Sequence, residues 1–136
     1  MINMYVYKNK KQKNKNMKEK IKILLVNTDY SLRLFFSEEK FEFVTVSIAQ
    51  DLAASAIAIC AENKDIDICL VNGYVGHMAG FEAAESIKQI CPNLPIISVS
   101  EFDIPEHYKR FFVAHFENGS NLGRLQSTIY EYVLKS

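Results

Sequence analysis

The chain has 136 residues, 49% of them apolar and 24% charged, and its formal charges cancel. That length supports one domain with a core of its own and is too short for two. No apolar run nears the roughly 18 residues that mark a membrane span, and Cys60, Cys69 and Cys91 stand apart among apolar neighbours without Cys-x-x-Cys spacing, which argues against a zinc site or disulfide framework and for buried free thiols in a reducing, cytoplasmic compartment.

The neutrality is uneven along the chain. Seven lysines against one glutamate leave residues 1–20 at +6 and the other 116 residues at −6. The stretch "KNKKQKNKNMKEK" has no apolar periodicity, so residues 1–19 are expected to form a disordered basic arm ahead of a domain over 20–136. No apolar stretch of signal-peptide type follows the lysines. The arm is either a tether for nucleic acid or membrane, or an extension upstream of a start at Met17. The second is favoured, because "MKEKIKILLVN" reads as a domain opening on a strand. The acidic body argues against nucleic acid as the main partner.

Apolar, β-branched runs predict strands at Ile21 to Val26, Phe41 to Val46, Ile66 to Val71, Pro95 to Ser100 and Val113 to Phe116. Helical spacing lies between them. A first helix would bury Leu32, Phe35 and Phe36, capped by Thr28 or Asp29, and Ser47 with Gln50 forms a capping box for a second over 51–63. Phe81, Ala84, Ile87 and Cys91 line a third, stopped by Pro92. A short fourth starts near Pro105, and Leu122, Leu125, Ile129 and Val133 mark a fifth. Strict alternation of strand and helix implies a doubly wound five-stranded parallel sheet of order 2-1-3-4-5, a three-layer α/β/α domain of flavodoxin type.

In such a sheet, functional groups gather beyond the carboxyl ends of the central strands. The residues at those ends are Asn27, Thr28 and Asp29, then Asn72 and Gly73, then Ser100, then Asn118. Together, "ILLVNTD", "DIDICLVNGYVGHMAGFEAAESIKQI" and "LPIISVS" resemble the response-regulator receiver domain, the CheY-like phosphate-accepting module of two-component signalling. Gly80 falls eight residues after Asn72, and Ser100 follows Pro95-Ile96-Ile97, as that pattern requires.

The resemblance implies a mechanism that the residues then withhold. A receiver phosphorylates an aspartate at the end of its third strand, holds Mg2+ with acids after its first, and pairs the phosphoryl group with a lysine after its fifth. Here those positions carry Asn72, Asn27 with Thr28, and Asn118; Ser100 alone is retained. An amide has no ionised oxygen to attack phosphorus, and neutral side chains do not attract a hard cation, which leaves Asp29 as a weak metal ligand at best. The expectation is a degenerate, phosphorylation-independent pseudo-receiver with no turnover and no cofactor. It would act in signalling by binding a protein, a homodimer being one form of this, and its last helix would end the chain with no DNA-binding domain attached.

The same residues admit alternatives. A small molecule could occupy the neutral pocket of Asn27, Asn72, Ser100 and Asn118, or Ser100 or Asp29 could accept phosphate. Deamidation at Asn72-Gly73 would restore an acid but not its partners. "VGHMAG" echoes a corrinoid-binding loop yet lacks that motif's aspartate, and His77, His107 and His115 have no second ligand in pattern. No Gly-rich phosphate loop follows the first strand. The resemblance places partner contacts on the face of the fourth helix, fifth strand and fifth helix, here Tyr108, Arg110, His115, Arg124 and Tyr130, a set rich in the aromatic and Arg residues that dominate hot spots. "DLAASAIAICAEN", apolar nearly all round, implies deep burial or a second contact face.

Overall fold

Ile21–Val26, Phe41–Val46, Ile68–Val71, Ile96–Val99 and Ala114–Phe116 form strands β1 to β5 of one parallel sheet, ordered β2-β1-β3-β4-β5. The structure is a computed structural model that describes residues 20–26, 41–46, 52–72, 79–117 and 122–135. The basic arm and the predicted first helix lie outside these residues. The described helices are α1 (Leu52–Glu62), α2 (Ala79–Ile90) and α3 (Leu122–Lys135), with a 3-10 helix over Glu106–Phe111. The doubly wound architecture expected from the alternation is the one observed.

Period-two alternation explains the layering. In β1, Ile21, Ile23 and Leu25 face a cluster with Leu125, Ile129 and Val133 of α3. Leu24 and Val26 face the other side, against Ala56 and Cys60 of α1 and Ala83, Ala84 and Ile87 of α2. All six β1 residues are buried, as a central parallel strand covered on both faces requires. The one charged residue among them is Lys22, whose Nζ donates to Asn63 Oδ1 and Asp65 Oδ1, each at 3.1 Å, so the buried ammonium keeps polar partners.

The strand ends are shorter than expected for reasons in the backbone. Asp67 pairs with β1 through its side chain as well as its main chain: the Lys22 amide donates to Asp67 Oδ2 and the Asp67 amide to Lys22 O, both at 2.9 Å. Pro95 has no N–H and enters the ladder only by accepting from Cys69, at 3.0 Å.

Between β4 and β5 the expected short helix is a single 3-10 element of six residues. Pro105 precedes it with φ −58° and ψ 146°, and bonds Tyr108 N–H to Pro105 O and Phe112 N–H to Lys109 O carry its i→i+3 pattern. Its core anchor is Tyr108, which stacks on Phe81 of α2 at 5.9 Å and packs with Ile104. Helix α1 is less buried than its composition implied. Ala56 and Cys60 point inward, while Ala54, Ala58 and Ala61 are exposed, so the apolar outer face consists of small side chains.

Candidate functional site

Asn72 follows β3 directly and sits beside the end of β1, its amide donating to Val26 O at 3.0 Å. Oδ1 of Asn72 is buried although the residue is half-exposed. The first turn of α2 closes on this point. A Cβ on Gly80 would collide with the Asn72 carbonyl and crowd Val71 Cγ1 at 3.1 Å, so the glycine is what lets α2 approach the strand end. The eight-residue spacing noted in the sequence is therefore a packing requirement.

Ser100 follows β4 directly and is fully buried. Its amide donates to Phe116 O at 2.9 Å, and its Oγ accepts the Phe102 N–H at 3.1 Å, a local turn that points the hydroxyl back along its own chain. The register of β1, β3 and β4 thus brings Val26, Asn72 and Ser100 to one end of the sheet. Asn27, Thr28, Asp29, His77 and Asn118 lie outside the described residues, so of the four residues expected to form the neutral pocket Asn72 and Ser100 are described. Among the described residues, no group of three or more His, Cys, Asp or Glu is placed to hold a metal ion.

The expected contact face is rearranged. Tyr108 is 7% exposed and belongs to the core, which corrects its assignment to the surface; its phenol is raised above its ordinary range by burial, then by Glu82 and Glu85. Tyr130 is half-buried and packs on Phe41 of β2 at 5.8 Å, away from β5. The tyrosine of α3 that reaches β5's side is Tyr132, whose hydroxyl donates to Val113 O at 3.4 Å. At 100° per residue, 130 and 132 lie on opposite flanks of the buried stripe formed by 125, 129 and 133, a distinction available from the sequence. Arg124 falls on the Tyr132 flank and is exposed, as is Arg110, whose guanidinium lies 4.8 Å from the Phe111 ring centroid.

His115 is half-buried, with Nδ1 3.0 Å from Oγ of the fully buried Ser98, its register partner across β4 and β5. Beside it, Asp103, Ile104, Lys109, Phe112 and Val113 wall a cleft of about 400 Å3. Val113 and Phe102 are exposed apolar residues in this region that the sequence reading did not single out.

Neither a protein-family model nor a curated protein matches the sequence. Solved structures do match. A response regulator receiver protein from Sinorhizobium medicae superposes with a TM-score of 0.63 at 20% identity, covering 87% of this chain and 97% of that one. The chain has the receiver fold. TrrA from Thermotoga maritima gives 0.67 at 16% identity over 82% of this chain and 98% of its own. NtrX from Brucella abortus gives 0.65 at 20% identity over 85% of this chain, which spans 26% of NtrX. Within the receiver fold, the end of β3 beside the end of β1 is where Asn72 stands, and no described helix is long and apolar enough to cross a membrane.

Proposed function

We propose that this receiver-fold domain serves signalling by binding a protein partner, without accepting a phosphoryl group and without catalytic turnover. The observation that carries the reading is Asn72 at the carboxyl end of β3. A carboxylate there could form an acyl phosphate; a carboxamide has no ionised oxygen to do so. In the sequence, Asn27 and Thr28 at the matching positions after β1 are uncharged as well, which leaves Asp29 as the one acid there and a poor fit for Mg2+, which prefers anionic oxygen ligands. Phosphoryl transfer depends on a nucleophile, a cation and charge neutralisation together, and the sequence lacks all three at the matching positions.

Binding is assigned to the side of the molecule around β5. The cleft beside His115, the exposed Val113, and Arg110, Arg124 and Tyr132 offer apolar and guanidinium groups together. β5 is also an edge strand, with β4 as its neighbour in the sheet.

Two experiments test the reading. Incubation with a small phosphodonor and Mg2+ should leave the intact mass unchanged; a stoichiometric phosphoryl adduct overturns it. TrrA was solved in complex with Mg2+ and BeF, and the same reagent should give this chain no thermal shift. For the surface, affinity capture with the intact chain should recover partners that Arg110→Ala and Tyr132→Ala variants retain at least tenfold less; full retention by both removes the β5 side from consideration.

A further inference from the structure

At the opposite end of the sheet, two thiols meet. Cys60, in the last turn of α1, and Cys91, immediately after α2, both line a cleft of about 370 Å3 bounded by Asn63, Lys64, Asp67 and the turn over 92–95. Both also belong to the apolar cluster between these helices and the sheet, Cys60 within it and Cys91 packed against it. Their accessibilities differ: Cys60 is 1% exposed, whereas Cys91 is half-exposed and open to the cleft. Cys69 lies on β3 behind them, with no exposure at all.

We infer that Cys91 and Cys60 form a peroxide-responsive dithiol, in which Cys91 is the attacking thiol, Cys60 the resolving one, and the product a disulfide tying α1 to the end of α2. In the first step the Cys91 sulfur, as thiolate, attacks one oxygen of the peroxide. The O–O bond breaks, hydroxide leaves and takes up a proton as water, and Cys91 becomes a sulfenic acid. In the second step the Cys60 sulfur attacks the Cys91 sulfur, the S–O bond breaks, and a second water departs with the Cys60 proton. Two thiols have then lost two electrons to one peroxide.

The roles follow from placement. A peroxide entering from solvent meets Cys91 first, and the thiol behind it is Cys60. The Cys60 thiol is pushed up to about 11 by burial first, then by the charge of Cys91 and the hydrogen bond to it. It therefore stays protonated and unreactive toward solvent oxidants, and becomes useful only when a neighbouring sulfur is electrophilic. Lys88 holds the turn that follows Cys91: its ammonium donates to Leu94 O at 2.6 Å and to Pro92 O at 3.2 Å. Helices α1 and α2 already pack against each other, so the bridge would join neighbouring elements.

The test uses the full reduced chain and stoichiometric hydrogen peroxide, followed by denaturation and thiol titration. Of the three cysteines, the titre should fall to one, and non-reducing peptide mapping should show an intramolecular link between residues 60 and 91. In Cys60→Ala, oxidation should stop at Cys91, which a 1,3-diketone then labels. In Cys91→Ser, a change at a half-exposed position that leaves the core intact, Cys60 and Cys69 should both keep their thiols. A titre that stays at three, a bridge that includes Cys69, or a link between two chains overturns the inference.

Discussion

Gly80 and Asn72 define the site more by backbone approach than by chemistry. The absent side chain of Gly80 is the space into which the Asn72 carbonyl fits. Gly80→Ala should therefore destabilise the domain by about 1–3 kcal/mol, the usual cost of forcing a methyl into filled space, despite alanine's better helix propensity. Chemical denaturation checks this, and an unchanged midpoint would contradict the packing account. Asn72→Asp is the complementary change. With Asn27, Thr28 and Asn118 still neutral, the new carboxylate should gain no phosphoryl group from a small phosphodonor and Mg2+; an adduct in the intact mass would show that the single amide had been the whole obstacle. At this scale the sequence was legible where spacing sets a backbone approach, as for Gly80 eight residues after Asn72. It was not where the role depends on direction: Tyr108 points into the core against Phe81, and Tyr130 turns to Phe41.

Among the elements, β1, β3 and β4 could be read as buried runs because all of their residues are covered on both faces. The β4 to β5 connection was less legible. Its anchor depends on a ring stack between residues far apart in sequence, Phe81 and Tyr108, and no local pattern announces a stack. The same stack makes a prediction: Tyr108→Ala should cost about 3–5 kcal/mol, as for other large buried aromatics, by releasing the 3-10 helix from α2. Tyr108→Phe, which keeps the ring, should cost far less. Beyond its backbone ladder, β5 is tied to β4 by a side-chain link, the bond between His115 and Ser98. His115→Ala removes the imidazole partner of a fully buried hydroxyl and should cost about 1–3 kcal/mol, whereas the Ser98→Ala/His115→Ala double variant should recover part of that loss. Denaturation midpoints of the single and double variants decide it, and strict additivity would mean the contact contributes nothing.

For the molecule as a whole, the cysteines make stability depend on alkaline pH in a direction that can be worked out. Cys60 titrates at about 11 in the folded chain against an ordinary 9.0. Between those values the unfolded chain has lost the proton and the folded chain keeps it, so the folded state binds more protons and stability falls as pH rises. A shift of this size corresponds to about 2–3 kcal/mol lost across the window. Cys69, raised well above 9.0 by complete burial, and Tyr108, raised above 10.0, act in the same direction. Lys88 opposes them: burial lowers it below 10.5, so the unfolded chain holds that proton longer and its contribution improves as pH rises. The net slope mixes these groups, but a comparison isolates one of them. Under reducing conditions, unfolding free energy measured from about pH 8.5 to about pH 11 should fall by roughly 2–3 kcal/mol more in the wild type than in Cys60→Ala. The variant will start less stable because a buried side chain is truncated, yet its curve should be the flatter one. Parallel curves would mean that Cys60 ionises in the folded chain as easily as in water, which its burial between α1 and the sheet forbids.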